Sequence, residues 1–151
     1  MKNVKKFDPE LIRKKIKYPS PQAYIDEAYR YLANAKERLK EAPIQYNRYQ
    51  DVKPVQEACG TGYIAVLLAV DGYLLQRGVS ADQLPTTTEG YCAAIDKHIS
   101  VNGKLTNAFF IAHEILHVFG YYRGGSYTEM IKGGFENAKF VIDILAKFVS
   151  R

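Results

Sequence analysis

The chain has 151 residues and a formal net charge of +5, and this length is typical of one domain that folds without disulfide bonds. Its two cysteines, Cys59 and Cys92, lie in apolar helical patterns without metal-binding spacing, so we expect both to be reduced core residues of a cytoplasmic protein. The amino-terminal residues lack the apolar region of a secretory signal, and the longest apolar stretch, residues 58–70, is shorter than the roughly 20 residues of a membrane helix, which predicts a soluble chain.

The positive charge is concentrated in residues 1–17, which hold seven basic and two acidic groups, whereas the remainder has 14 of each. Asp8 and Pro9 predict a short helix within this segment. A basic arm of this kind can bind phosphate, so association with nucleic acid through residues 1–17 is one alternative function. We favour a solvated arm, and we divide the chain into residues 1–19, the arm with its short helix, and residues 20–151, a helical bundle.

Two long helices follow the arm, since apolar residues recur every three or four positions. The first opens at Ser20 and Pro21 and ends before Pro43. The second covers residues 52–77, is apolar on most sides and stops at Gly78, so we expect it at the centre of the bundle. The glycines within it, at positions 60 and 62, predict that a neighbouring helix approaches closely.

Three more helices are predicted in the second half of the chain. A shorter one begins at a capping box of Thr86 and Glu89 and ends near residue 100. The next stops at Gly120 or just beyond, and the last begins at a capping box of Ser126 and Glu129. The last helix continues with a heptad-like apolar stripe of Ile131, Phe135, Ala138, Ile142, Leu145 and Val149. No segment alternates with a period of two. The sequence therefore predicts an all-α, single-domain antiparallel helical bundle of four main helices plus a short amino-terminal helix.

The only catalytic signature is an HExxH motif formed by His113, Glu114 and His117. Zinc hydrolases use this spacing because two histidines four residues apart share one helix face, while the adjacent glutamate acts as the base toward metal-bound water. A catalytic zinc ion also needs a third protein ligand. Glu136 has the spacing of a thermolysin-like third ligand, and His98 would complete the three-histidine site of DinB-type bundles.

A helical wheel favours a structural role for these residues. It places His113 and His117 on the shoulder of the buried stripe and Glu114 opposite the core, while Glu136 and Asp143 lie off the apolar stripe of the last helix and are expected to face water. The pair and the downstream carboxylates therefore lack a common meeting point. We expect the histidines to bond neighbouring tyrosine or carboxylate groups, without catalysis and without a cofactor. A metal-dependent hydrolase with zinc is the alternative.

Several segments resemble an uncharacterised bacterial family of small helical-bundle domains, similar in general shape to HEPN bundles. They are RYLANAKERL at residues 30–39, YQDVKPVQEACGTGYIAVLLAVDGYL at 49–74, LHVFGYYRGG at 116–125 and GGFENAKFVID at 133–143. The resemblance implies a helical bundle, often dimeric, without established chemistry. His117 matches the family pattern and His113 does not, which makes the HExxH motif an accident of this member. No arginine stands four to six residues before any histidine, as HEPN ribonucleases require.

We therefore expect an interaction or dimerisation module, with Tyr121, Tyr122 and Arg123 as candidate binding residues. Ile111 and Val118 lie off the core stripe beside the two tyrosines, and an apolar back on a bundle helix usually meets another surface. That surface is either a second copy, which would make the protein a homodimer, or the amino-terminal helix. The sequence identifies neither a small-molecule ligand nor a membrane partner.

Overall fold

The computed structural model describes residues 18–99 and 103–149, and these residues form the predicted all-α bundle. The helices are α1 (Pro21–Leu39), α2 (Val52–Gln76), α3 (Thr88–His98), α4 (Lys104–Ala112) and α5 (Thr128–Val149). A π-helix, His113–Tyr122, continues α4 without a break. The short helix predicted within residues 1–17 lies outside the described residues.

α1 and α2 form an antiparallel pair. Arg38, at the end of α1, forms an ion pair with Glu57 near the start of α2, with 2.8 Å between Nη2 and Oε2. Tyr24, at the start of α1, packs on Gly72 near the end of α2. The π-helix and α5 complete an up-and-down arrangement of four main helical elements around one core.

α3 departs from this alternation because it runs in the same direction as α2. The hydroxyl of Tyr63 lies 3.5 Å from Oγ1 of Thr88, the first residue of α3. The hydroxyl of Tyr73, ten residues further along α2, donates to the carbonyl of His98, the last residue of α3. The connection between α2 and α3 therefore runs back along α2 before α3 begins.

α2 is the central helix, as its apolar surface predicted. Its length and hydropathy would allow it to cross a membrane, so the expectation that no segment is long enough was wrong. The reason is that residues 71–75 after the uninterrupted apolar run, with only Asp71 charged, extend it to an apolar window of 18 residues. The bundle buries 78% of the residues in the most apolar 18-residue window of α2, as in the core helix of a soluble protein.

A short β-hairpin, which the sequence pattern did not predict, connects α1 to α2. β1 (Ile44–Gln45) and β2 (Arg48–Tyr49) pair antiparallel. Between them Tyr46 and Asn47 have φ values of 54° and 59°, as both central residues of a type I′ turn require. The carbonyl of Asn47 accepts the N–H of Thr128 at 3.0 Å, which fixes the hairpin against the start of α5.

Side-chain burial follows the predicted periodicity most closely in α5. Its six predicted stripe positions are all buried: Ile131, Phe135, Ala138, Ile142, Leu145 and Val149. The predicted close approach to α2 is also confirmed, because a Cβ atom at Gly62 would lie 2.7 Å from the Phe135 ring. Helix starts are less accurate. Thr87, not Thr86, caps α3 by accepting the N–H of Gly90, and α5 begins at Thr128.

Candidate functional site

The candidate site is built on the π-helix, which contains the whole HExxH motif. A π-helix closes each hydrogen bond one residue later than an α-helix, so residues four and five apart both return to the same side. The N–H of Arg123 still donates to the carbonyl of Val118 at 2.9 Å, which is the spacing of a π-helix. π-helical segments are rare and are often found at functional sites.

Four aromatic side chains of the π-helix and one from α2 form a chain of ring contacts, which we call the aromatic ladder: His113, His117, Tyr121 and Tyr122, with Tyr63 from α2. The two imidazole centroids are 5.3 Å apart, and the Tyr63 ring lies 5.4 Å from that of His113 and 4.9 Å from that of His117. Tyr121 and Tyr122 lie 6.0 and 6.3 Å from His117. Because both tyrosines contact the same imidazole, the ladder depends on the wider turn of the π-helix.

The ladder leads from the core to solvent. Tyr63 is buried, the imidazoles are half-buried, and Tyr122 is 77% exposed. Glu114 points outward, as the helical wheel predicted, and its Oε1 lies 3.2 Å from Nδ1 of His113. The predicted bond between a histidine and a carboxylate is therefore present. The neighbouring tyrosine, Tyr63, contacts both imidazoles through its ring.

The structure brings His113 and His117 together but does not bring either proposed third ligand to them. His98 lies at the end of α3, where its carbonyl bonds Tyr73, about 15 Å along α2 from Tyr63. Glu136 is exposed and lines a groove between α1 and α5. Within residues 18–99 and 103–149, no three His, Cys, Asp or Glu side chains are placed to hold one metal ion.

Asp143, the other carboxylate that the wheel placed toward water, is instead half-buried between α1 and α5. It accepts hydrogen bonds from the Tyr29 hydroxyl and from Lys139, both at 2.6 Å. Burial raises the pKa of Asp143, but the hydrogen bonds from Lys139 and Tyr29 outweigh it and lower the pKa below its usual value. Burial and the bond to Asp143 raise the pKa of Tyr29 to about 12. These two groups help to join α1 to α5.

The exposed end of the ladder and the hairpin lie at the same end of the bundle, and we call the exposed residues there, Tyr46, Arg48, Tyr121, Tyr122 and Tyr127, the tyrosine end. Tyr46, at the hairpin tip, is 86% exposed. The guanidinium of Arg48 lies 5.5 Å from the centroid of the Tyr127 ring, and the two residues form a β-bridge. Sequence reasoning found Tyr121 and Tyr122 but missed the other three, because only the docking of the hairpin on the start of α5 places them at this end of the bundle.

An open groove of about 430 Å³ lies beside the tyrosine end, lined by Lys53, Gln56, Glu57, Tyr121 and Tyr122. Gln56 donates a hydrogen bond to the carbonyl of Tyr121 at 3.1 Å. Arg123, the third predicted binding residue, follows the π-helix and is exposed. All three predicted binding residues are therefore accessible from solvent at one end of the bundle.

The fold and its ladder define a small helical-bundle domain with an aromatic end. A family model described as a domain of unknown function, DUF5618, matches residues 23–147, and the chain belongs to this family. It is similar to a solved structure of a protein of unknown function from Dyadobacter fermentans, with 30% identity and a TM-score of 0.73 over 86% of this chain and 98% of that one. No curated protein matches the chain. The resemblance to an uncharacterised family is confirmed, while the likeness to HEPN bundles stays a prediction.

Proposed function

We propose that the protein is a non-catalytic interaction module whose tyrosine end binds a protein partner. The observation that carries the proposal is the π-helix, which directs Tyr121 and Tyr122 to solvent while His117 supports both rings. Tyrosine and arginine dominate the binding energy of protein interfaces, because they offer large contact areas and polar tips. Tyrosine also has few rotatable bonds, so little entropy is lost when it is fixed.

The ring of Tyr121 is held in place before any partner binds. It stacks on His117 with 6.0 Å between centroids, and a Cβ atom at Gly60 would lie 3.1 Å from its Cδ2. The bond from Gln56 to its carbonyl fixes the backbone at the same point. Preorganisation of this kind reduces the free energy that binding would otherwise lose to ordering the side chain.

The charge of this end favours a protein partner over nucleic acid. The segments that form it, residues 46–57 and 121–129, carry three basic and three acidic groups: Arg48, Lys53, Arg123, Asp51, Glu57 and Glu129. Nucleic-acid binding requires clustered, uncompensated basic residues. Association of the basic arm, residues 1–17, with nucleic acid is a separate prediction, because the arm lies outside the described residues.

The histidine pair supports the tyrosines in this proposal and has no catalytic role. The alternative is a zinc hydrolase with His113 and His117 as ligands and Glu114 as the base. Metal analysis of the protein purified without an affinity tag tests this alternative. Near-stoichiometric zinc, together with a lower melting temperature after chelation, would support the hydrolase.

We also propose a cytoplasmic location for the module. Cys59 is buried and Cys92 is half-buried, and both thiols are free. Unpaired cysteines are typical of reducing compartments. The burial of α2 within the bundle agrees with a soluble protein.

Site-specific photo-crosslinking in the native cells tests the proposed docking surface. Tyr122 is replaced by p-benzoylphenylalanine, and Gln22, an exposed residue at the opposite end of the bundle, receives the same group as a matched control. We expect one discrete protein adduct from position 122 and none from position 22. Adding Tyr121→Ser should weaken the adduct by about 30-fold if Tyr121 is worth about 2 kcal/mol.

Three results would contradict the proposal. Equal adducts from positions 22 and 122 would indicate random collision. Absence of any adduct from position 122, in a chain whose circular dichroism shows it to be folded, would remove the docking surface. An adduct to RNA or DNA would favour the nucleic-acid alternative.

A further inference from the structure

α5 carries a second apolar face beside its buried stripe. On a helical wheel at about 100° per residue, six positions fall within a window of about 80° outside the buried stripe. They are Met130, Gly133, Asn137, Phe140, Ile144 and Phe148, and we call them the outer seam. Their spacings of three and four residues continue over almost the whole helix without a charged side chain, which is typical of a coiled-coil contact.

The outer seam is accessible in the monomer. Met130, Phe140 and Phe148 are among the exposed large apolar residues. Ile144 is half-buried against the core, and one side of the Phe148 ring packs on Tyr73 of α2, with 5.9 Å between the ring centroids. Ile111 of α4 is also exposed, as the sequence predicted. Surfaces of this type usually bind another protein surface.

Gly133 gives a second indication that a helix packs here. A Cβ atom at this position would meet nothing within 4 Å, so no contact within the described residues requires a glycine. Glycine in the middle of a helix reduces its stability relative to alanine. The adjacent Gly134, in contrast, is required, because its Cβ atom would lie 2.6 Å from Ile115.

We propose that α5 pairs antiparallel with α5 of a second copy of this chain, across a two-fold axis between residues 137 and 140. In this register Gly133 faces Ile144 of the partner subunit, and Met130 faces Phe148 of the partner subunit. Each small position then meets a branched or aromatic side chain. A parallel pair would instead place Gly133 against its own counterpart and leave a void.

The charges beside the outer seam favour the same direction. Glu129 and Lys147 lie next to the seam on the same flank of α5. In an antiparallel pair this flank faces the same flank of the other copy, so Glu129 meets Lys147 of the partner subunit, and the pair occurs twice. In a parallel pair this flank would face the opposite flank of the other α5, which holds no charged side chain within the described residues, and the ion pair would be lost.

The length of α5 sets the expected strength of the dimer. Its 22 residues span about 33 Å, and a contact strip about 12 Å wide buries about 400 Å² per copy. This is about half of a standard protein interface, so we expect a weak dimer with a micromolar dissociation constant.

Sedimentation equilibrium of the full chain from about 1 to about 200 µM tests the dimer. We expect Phe140→Asp to raise the dissociation constant on the order of tenfold or more, because the carboxylate would lie in the seam. Phe110→Asp is the matched control, since Phe110 is 51% and Phe140 is 40% exposed but Phe110 lies outside the seam. Glu129→Lys and Lys147→Glu should each weaken the dimer about twofold to fivefold, and the double variant should restore it.

A wild-type chain that is monomeric at about 200 µM would overturn the proposal; it would indicate that residues 1–17 or nothing covers the seam. Equal effects of Phe140→Asp and Phe110→Asp on the dissociation constant would show that the interface lies outside the outer seam. Failure of the double charge reversal to restore the dimer would overturn the antiparallel register. Far-ultraviolet circular dichroism of each variant separates these results from loss of folding.

Discussion

Replacing Gly120 by alanine tests the closest helix contact beneath the aromatic ladder. A Cβ atom at this position would lie 2.4 Å from Sγ and 2.8 Å from Cβ of Cys59, and 3.2 Å from the carbonyl oxygen of Ile115. Rotation of the Cys59 side chain would relieve the contact with Sγ. It would not relieve the contact with Cβ, so α2 and the π-helix would have to separate.

The expected loss of stability follows from two opposing effects. Overpacking of a close-packed interior costs typically 1–3 kcal/mol, and the rigid Cβ contact places this variant in the upper part of that range. Alanine regains about 1 kcal/mol through its greater helix propensity. We expect a net destabilisation of about 1–2 kcal/mol, which lowers the melting temperature by about 2–8 °C in a domain of this size.

Urea unfolding followed by circular dichroism measures this change. Gly133→Ala is the control, because its Cβ atom would meet nothing, and in dilute, monomeric protein it should stabilise by about 1 kcal/mol. In a Cys59→Ala background, the loss caused by Gly120→Ala should shrink by about 1 kcal/mol, since Sγ is gone. Stabilisation by Gly120→Ala in both backgrounds would refute the close approach.

Four further predictions concern buried or paired groups. Tyr91→Phe should destabilise by about 2 kcal/mol, because the Tyr91 hydroxyl donates to the buried carboxyl of Asp71 at 2.9 Å; a change no larger than that of Tyr29→Phe would contradict this. The pKa of Tyr29 is raised from 10.0 to about 12, so the contribution of Tyr29 to the free energy of unfolding is present below pH 10 and is lost as the pH rises through about 12. The urea midpoint of the wild type should therefore fall further between pH 10 and about 12 than the urea midpoint of Tyr29→Phe. The lowered pKa of Asp143 predicts that Asp143 stabilises the fold above pH 3.8 and that this stabilisation is lost as the pH falls through the lower pKa of the folded state. If Asp143→Asn and the wild type lost stability equally in acid, this contribution would be excluded. Burial raises the pKa of the Cys59 thiol to about 12, so a thiol reagent at neutral pH should label Cys59 only after unfolding, and rapid labelling of the native protein would contradict its position.

The sequence predicted the helices well because their apolar residues repeat with the helical period. The α5 stripe from Ile131 to Val149 and the stop of α2 before Gly78, which has a φ of 94°, both follow from local rules. The hairpin did not, since two-residue strands are too short to alternate and its turn has Tyr46 where glycine or asparagine is usual. The π-helix was missed because the spacing of apolar residues does not indicate whether each N–H bonds to the carbonyl four or five residues before it.

The candidate site was predicted in part for the same reason. Tyr121 and Tyr122 are the last two residues of the π-helix, so their exposure is a local property of a helix end. The contact of Tyr63 with both imidazoles depends on how α2 packs on the π-helix. The helical pattern of α2 places Tyr63 only on the apolar surface of that helix and does not identify what it contacts. The helical wheel still placed the motif correctly, although a π-helix rotates by a smaller angle per residue than the α-helix that the wheel assumes. Glu114 lies outside and His113 borders the core, as predicted.

The π-helix makes the ladder sensitive to deletions. An α-helix with one extra residue inserted must either shift everything downstream or widen a turn to accommodate it, and the segment His113–Tyr122 has widened. Removing a single residue between Ala112 and Arg123 would let the ordinary hydrogen-bond register return, while the apolar positions of α4 would keep their places. Relatives with an alignment gap there would retain the bundle but rotate the two tyrosines away from His117, so the spacing itself identifies which family members share this surface.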